Sequence, residues 1–275
     1  MARLIARTTP DARVPAPDRS LIHRTGQRII PGMKDYQPMD SFDENSAAIY
    51  DDVPRGDEAA ATRFLAERAG GGPALELAIG TGRIALPLAA KGVRVDGVDL
   101  SEPMVKRLRA KPGGEKLSIT IGDFADVPVL GRYKLIYLVY NTIFNLLTQD
   151  DQVRCFTNVT SHLAEDGCFV VEALVPTYLT QLRDGQYVDA EQVGTREVTL
   201  DVGRYDAASQ RLEESHVVLS EKGVRVYPIV TRYIWPSELD LMARIAGLRL
   251  RERWASWDRE PFDSQSRNAV SVYGL

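Results

Sequence analysis

Three carboxylates and two glycines carry most of the chemical information in this chain: Glu76, Gly80, Gly82, Asp99 and Asp123. Residues 74–99 read ALELAIGTGRIALPLAAKGVRVDGVD, a strand, a glycine turn, a helix and a second strand closed by an acid. Gly80 and Gly82 permit a tight turn and a close approach of backbone to ligand. An acid at the end of the second strand, where Asp99 stands, accepts the hydroxyls of a ribose. Gly122-Asp123-Phe124 follows the apolar residues 117–121 and sets a carboxylate where an adenine edge can be gripped. Together these residues describe a nucleoside pocket.

The elements that must hold them follow from periodicity. Ile84, Leu88 and Ala89 recur at helical spacing, and the β-branched Val93, Val95 and Val98 suit a buried strand. Gly80-Thr81-Gly82-Arg83-Ile84-Ala85 satisfies the permissive dinucleotide pattern G-x-G-x-x-G/A. Glu76 points elsewhere, because a carboxylate ahead of the loop repels a pyrophosphate and suits the ammonium of a zwitterionic tail. The phrase His162-Leu163-Ala164-Glu165-Asp166-Gly167 before a strand at 168–173 points the same way.

On these residues the chain resembles a class I S-adenosylmethionine-dependent methyltransferase. ELAIGTGR is similar to that family's first motif, with Ala78 in place of a glycine; VDLSEPMV (98–105) resembles the second and IGDFADVP (121–128) the third. The resemblance covers residues 50–173 well and the C-terminal strands loosely. It implies S-adenosyl-L-methionine as cofactor. Asp99 would take the ribose, Leu100 and Met104 would sandwich the adenine, and Asp123 would accept from its amino group beside the Phe124 amide. Arg83 would pair with the methionine carboxylate, and Glu76 would order the loop or reach the ammonium through water. Tyr50 resembles an N-terminal tyrosine that covers the cofactor in small-molecule enzymes. The rival readings are an NAD(P)-dependent oxidoreductase and a methyltransferase fold recruited to a non-methylating reaction such as a cyclisation.

The expected fold is α/β: a Rossmann-like, seven-stranded, mostly parallel sheet with helices on both faces, and an antiparallel β lid inserted after strand five. Residues 1–39, rich in Arg and Pro, read as an extension, either flexible or an arm over the active site or a second subunit, the latter compatible with a homodimer. Residues 40–173 form the cofactor-binding core, with helix over 40–69, strand three at 117–121, strand four at 133–140 and a helix over 150–163. Residues 174–235 hold the lid, read as a three-stranded meander at 196–205, 211–220 and 224–235. Residues 236–275 supply a last helix and two strands, at 248–257 and 269–273. Such an insert resembles the lid of amino-sugar N-methyltransferases and of glycine or sarcosine N-methyltransferase-like enzymes.

A chain of 275 residues with a formal net charge of -4 gives no cationic surface for nucleic acid. Cys155 and Cys168 show no metal-like spacing, no metal constellation is legible, no apolar run has membrane-spanning length, and MARLIARTTP lacks a secretory core. A cytoplasmic enzyme acting on a small-molecule acceptor is the expectation.

Ligands of open parallel sheets sit beyond the carboxyl ends of the strands. That rule puts Tyr140, Asn141 and Phe144 near the reacting methyl. Among the three histidines, His23 falls in the extension and His162 in a helix-to-strand turn. His216 shares a strand face with Glu214 and is the candidate general base. Tyr178, Tyr187, Tyr227, Tyr233 and Trp235 could roof the pocket. N-methylation is slightly preferred to O-methylation, since an amine presented neutral needs no base.

Overall fold

The computed structural model describes residues 33–52 and 55–275. Its helices are α1 (Glu44–Ile49), α2 (Glu58–Ala69), α3 (Ala85–Ala90), α4 (Glu102–Arg109), α5 (Gln149–His162) and α6 (Pro236–Ile245). Its strands are β1 (Ala74–Leu77), β2 (Val95–Asp99), β3 (Ser118–Ile121), β4 (Tyr133–Leu138), β5 (Leu163–Leu174), β6 (Gln186–Val193), β7 (Glu197–Asp206), β8 (Arg211–Ser220), β9 (Gly223–Arg232), β10 (Arg249–Trp254) and β11 (Asn268–Gly274).

Strands β1 and β2 are buried at every residue, as central parallel strands covered on both faces must be. They lie in a seven-stranded sheet of order β10-β11-β5-β4-β1-β2-β3, in which only β11 runs antiparallel to its neighbours β5 and β10. The chain winds outward from β1 toward β3 and then, from β4, toward the other edge. The reversal lies between β1 and β4, and a crevice opens there beyond their carboxyl ends. One face of the sheet packs Phe64, Leu65, Leu88 and Leu108 from α2, α3 and α4. The other packs Phe156, Val159, Leu239 and Met242 from α5 and α6. Phe156 meets Phe169 and Tyr273 edge-on at centroid distances of 5.1 and 5.8 Å. The mostly parallel, two-sided α/β sheet expected from the sequence is the one found.

Several boundaries differ for physical reasons. The helical stretch 40–69 is two helices. Asp43 caps α1 by accepting from the Ser46 amide at 2.8 Å, and α2 ends at Gly70 in the left-handed conformation that lacks a Cβ penalty. Strand β4 stops at Leu138, because Tyr140 and Asn141 both have positive φ. The lid has four strands, not three, in the simple order β6-β7-β8-β9. Its extra strand, QYVDAEQV, is exposed at nearly every position, so no apolar alternation marks it.

Residues 33–39, read with the extension, run along the lid. The Met33 amide donates to Glu213 at 3.2 Å, and Ser41 Oγ, paired with Tyr36 Oη at 2.7 Å, donates to the Pro228 carbonyl at 2.7 Å. The remainder of the expected extension, His23 included, lies outside the described residues. No helix among the described residues is long and apolar enough to cross a membrane.

One guanidinium ties the lid to the core. Arg232, 6% exposed, donates to Gln152 on α5 (2.5 Å), Gln210 (2.7 Å) and Glu238 on α6 (2.8 Å). Gln152, fully buried, spends its amide on the carbonyls of Leu146 and Arg232 at 2.9 and 3.1 Å. Burial opposes ionisation of Glu238, but hydrogen bonds from Gln210 and Arg232 outweigh it and hold that carboxyl below its ordinary value. Arg232→Ala leaves the buried Gln152 Oε1 without its partner and takes one bond from Glu238, which keeps those from Gln210 and Gln149, and is expected to cost about 2 kcal/mol in urea unfolding. An unchanged midpoint would show that the lid is anchored elsewhere.

Candidate active site

The loop after β1 is built from left-handed backbone. Ala78, Gly80 and Gly82 have φ of 54°, 55° and 80°. An alanine there costs about 1 kcal/mol. It is held because the Ile79 amide donates to the Val98 carbonyl at 2.9 Å while the Ile79 side chain lies where a Gly97 Cβ would be, 2.4 Å from its Cδ1. Around Gly80 a Cβ would meet nothing nearer than 4.0 Å, so this glycine leaves open space. Gly82 does not: its Cβ would stand 2.9 Å from Leu108 Cγ. A side chain at the second glycine would thus collide with α4, so its smallness packs the loop on that helix.

Asp99 lies at the centre of this loop. Its carboxylate, 7% exposed, accepts from the Gly80 amide at 2.6 Å through Oδ2 and from the Ser101 amide at 2.7 Å through Oδ1. Burial raises its pKa, and the amide bonds counter that. Next to it, Leu100 is 46% exposed and offers an apolar platform. Met104 is 2% exposed and presents no surface to a ligand in this conformation, so the two-sided adenine clamp reduces here to Leu100. Asp123 accepts from the Ala125 amide at 2.8 Å and is half exposed, whereas Phe124 is buried.

Glu76 sits beneath the loop, 2% exposed, and accepts the Tyr137 hydroxyl at 2.9 Å. Burial pushes its pKa up to about 8, against the lowering effect of that hydroxyl and of Arg83. The carboxyl is therefore enclosed in the protein and not offered to solvent, which removes the water-mediated contact expected for it. Arg83 donates to Asp57 at 2.5 Å and lies 3.4 Å from Glu58. Its Nη2 is buried and has no hydrogen-bond partner among the described residues. The expected free cation is thus already paired on one side and keeps one unspent donor.

The carboxyl edge of β4 is pinned from β5. Glu172, 8% exposed, accepts the Tyr140 amide at 2.6 Å and the Trp257 indole at 2.9 Å. Asn141 Oδ1 accepts the Leu174 amide at 2.5 Å. These bonds hold two consecutive left-handed residues, φ 53° and 61°, that a free chain would avoid. The Tyr140 ring, 41% exposed, faces the Arg55 guanidinium at 4.2 Å, and Arg55 is also 5.7 Å from the Tyr50 ring. A cavity of about 440 Å³ opens beside Arg55, Asp57, Tyr140, Asn141, Glu172 and Trp257. A larger one, about 510 Å³, lies near Val95 and Ser118 at the opposite ends of the strands, away from this chemistry. Phe144 is buried in the core cluster and does not line the edge.

His216 is on the lid. Its Nδ1 contacts the Asp201 carboxylate on the neighbouring strand, with Glu191 at 3.7 Å, while Glu214, on the same face of β8, bonds Tyr187. The ligand atoms of Glu191, Asp201 and His216 lie within 4.8 Å of one another, a grouping that sequence spacing could not show. Sequence reading also missed the knot that closes the glycine loop. Thr81 Oγ1 donates to Asp51 at 2.6 Å, while Lys111 reaches Asp51 at 2.8 Å and the Thr81 carbonyl at 2.7 Å. Glu172 could have been found by the signal that exposed Glu76, a lone carboxylate in an apolar strand.

Fold and loop together define a class I S-adenosylmethionine-dependent methyltransferase, and this chain belongs to that family. A family model described as "Methyltransferase domain" matches residues 74–167. The CcbJ methyltransferase from Streptomyces caelestis is 38% identical, with a TM-score of 0.82 over 87% of this chain and 99% of that one. A cypemycin N-terminal methyltransferase from a Streptomyces species is 24% identical over 72% of this chain and 81% of its own length. CalS10 from Micromonospora echinaspora, an amino pentose methyltransferase solved with S-adenosylmethionine, shares the fold at 21% identity, a TM-score of 0.62, and 85% and 98% coverage. The dinucleotide alternative is set aside by that membership.

The buried Glu76 makes stability depend on pH. Its folded value, about 8, lies above the ordinary 4.5, so the folded state keeps a proton that the unfolded chain releases. The stability it contributes is complete below about 4.5 and is lost as pH rises to about 8, by at most about 1.4 kcal/mol per pH unit. Glu76→Gln, which can still accept from Tyr137, is expected to gain on the wild type steadily between pH 5 and pH 8 in unfolding experiments. Parallel stability curves would contradict a neutral Glu76.

Proposed function

We propose that this methyltransferase moves a methyl group onto the nitrogen of a small-molecule amine in specialised metabolism. The observation that carries the preference for nitrogen is the composition of the carboxyl edge. Two carboxylates and one phenol (Asp57, Glu172, Tyr140) line the cavity there, against the single cation Arg55. With two acids to one cation, such walls favour a cationic amine over a neutral hydroxyl. The relatives named for an N-terminal amine and for an amino pentose support the same choice.

The residues present suit the cofactor. Asp99 keeps unused acceptor capacity for the ribose beside the open space at Gly80, Leu100 supplies an exposed apolar face for adenine, and Asp123 has a half-exposed carboxylate for its amino group. Gly82 and the left-handed Ala78 shape the loop, Glu76 supports it from beneath, Met104 backs Leu100, and the Phe124 amide lies beside Asp123. Arg83 has one donor unspent among the described residues for the methionine carboxylate, and Tyr50, which ends α1 beside Arg55, would cover the cofactor. When bound, S-adenosylmethionine supplies an activated methyl on a cationic sulfur. The protein's part is to align the acceptor and exclude water, which is positional catalysis. Tyr140 and Asn141, fixed in place by Glu172 and Leu174, orient the acceptor. His216, held by Asp201, takes the amine proton. The lid (186–232) and the segment from 33 to 42 close the cleft over the core.

Two outcomes test this reading. Asp99→Ala removes charge-assisted bonds worth about 3 kcal/mol, so calorimetry with S-adenosylhomocysteine should show affinity falling on the order of 100-fold. Unaltered affinity would refute the ribose assignment. Incubation with methyl-labelled cofactor and paired amine and hydroxyl probes, an amino sugar with its parent sugar and a peptide amide with its N-hydroxyacyl analogue, should place label on nitrogen. Label on oxygen alone would overturn the preference, and product formed without label would favour a recruited, non-methylating fold.

A further inference from the structure

The inner face of the lid carries a carboxylate that the roles above leave unused. Side chains alternate along a strand, so Leu212, Glu214 and His216 share one face of β8, opposite Tyr205, Gly203 and Asp201 on β7. Leu212 belongs to the core cluster with Ile143 and Phe144, and Tyr205 packs against it. This face therefore looks onto the segment that follows β4, at the carboxyl edge of the sheet. Glu214 is the next residue outward from Leu212 on that face.

Gly203 makes room for its partner. A Cβ at Gly203 would stand 2.3 Å from the Tyr187 ring, so only glycine lets that ring lie across β7. The Tyr187 hydroxyl thereby donates to Glu214 Oε1. Oε2 accepts no hydrogen bond among the described residues. Tyr178, in the 3-10 turn after β5, is near enough for the Glu214 and Asp201 charges to act on its hydroxyl. Burial raises the pKa of Glu214, opposed by the Tyr187 hydroxyl and by His216, while the Asp201 charge adds to it. Glu214, Asp201 and Glu191 thus face a single histidine. A half-buried carboxylate with a free oxygen, bonded by one phenol and within electrostatic reach of a second, is the arrangement that recognises an ammonium.

We propose that Glu214, flanked by Tyr187 and Tyr178, anchors the protonated amine of the acceptor. The anchor rests on the amine reading of the preceding section. Oε2 accepts an N–H of the ammonium and the rings face its charge. His216 follows two residues further along the same face, about 7 Å away. Nδ1 of its imidazole lies against the Asp201 carboxylate, and Nε2 is the nitrogen left to accept. In the proton transfer the N–H bond breaks, its electron pair stays on the nitrogen, and an Nε2–H bond forms, giving an imidazolium beside Asp201 and Glu191. A neutral hydroxyl acceptor would gain no charge pairing at Glu214, so this residue would also set specificity.

The test is binding of propylammonium, with propanol as its neutral counterpart, to the full chain saturated with S-adenosylhomocysteine, followed by ligand-observed NMR. Propylammonium should bind the wild type and the distant control Glu197→Gln equally. It should bind Glu214→Gln about tenfold or more weakly, the loss of one charge-assisted contact. Tyr187→Phe should weaken it less, propanol should bind none of them, and affinity for S-adenosylhomocysteine should be the same throughout. Equal propylammonium binding by the wild type and Glu214→Gln, or none by the wild type, overturns the anchor. The amine reading fails separately, if methyl label reaches only oxygen; label on amine probes with an unaltered KM in Glu214→Gln would leave that reading standing and remove the anchor alone.

Discussion

A single buried carboxylate sets the geometry on which the rest of the site depends. Asp99 holds the Gly80 amide with one oxygen and the Ser101 amide with the other, so the loops after β1 and β2 cannot separate. Ser101 passes that constraint on in two directions. Its hydroxyl accepts from the Met104 amide and starts α4, and donates to the Phe42 carbonyl at 2.6 Å. The adjacent Ser41 bonds the Pro228 carbonyl on the lid. Two consecutive residues thus join the nucleoside loop to the lid sheet, and a movement of either reaches the other through short, directional bonds.

Three of the strands bury a carboxylate, and each is satisfied differently. Glu76 on β1 takes a phenol and is pushed toward the neutral form by burial. Asp99 on β2 takes two backbone amides. Glu172 on β5 takes the Tyr140 amide and the Trp257 indole, with the Arg83 charge also lowering its pKa against burial. Buried charge without partners would be strongly destabilising, so these bonds are a condition of the fold. They also do the positioning that methyl transfer asks of a protein. Glu76 supports the glycine loop, Asp99 sets its distance from α4, and Glu172 keeps Tyr140 and Asn141 in left-handed conformations at the edge where an acceptor would lie.

The sheet and the cofactor loop were legible because their signals are local. Ala74–Leu77 is a short apolar run around one acid, Val95–Asp99 carries Asp96 and is closed by Asp99, and the glycines between the two runs mark a turn. The lid was only partly legible, because β6 is exposed at nearly every position and carries no apolar alternation. Positions that depend on distant partners could not be read at all. Gly82 resembles a ligand-facing glycine until Leu108, twenty-six residues on, is seen to fill its place. Arg83 resembles a free cation until Asp57 and Glu58 arrive from α2 and its cap. His216 and Glu214 share a strand face as alternation requires, yet the imidazole turns to Asp201 across the ladder and leaves Glu214 to Tyr187.

The most direct measurement is a crystal structure of the full chain with S-adenosylhomocysteine. Both ribose hydroxyls should lie within hydrogen-bond reach of the Asp99 carboxylate, with the adenine against Leu100 and the sulfur turned toward Tyr140. A nucleoside bound away from Asp99, with that carboxylate still serving only Gly80 and Ser101, would contradict the account at its root.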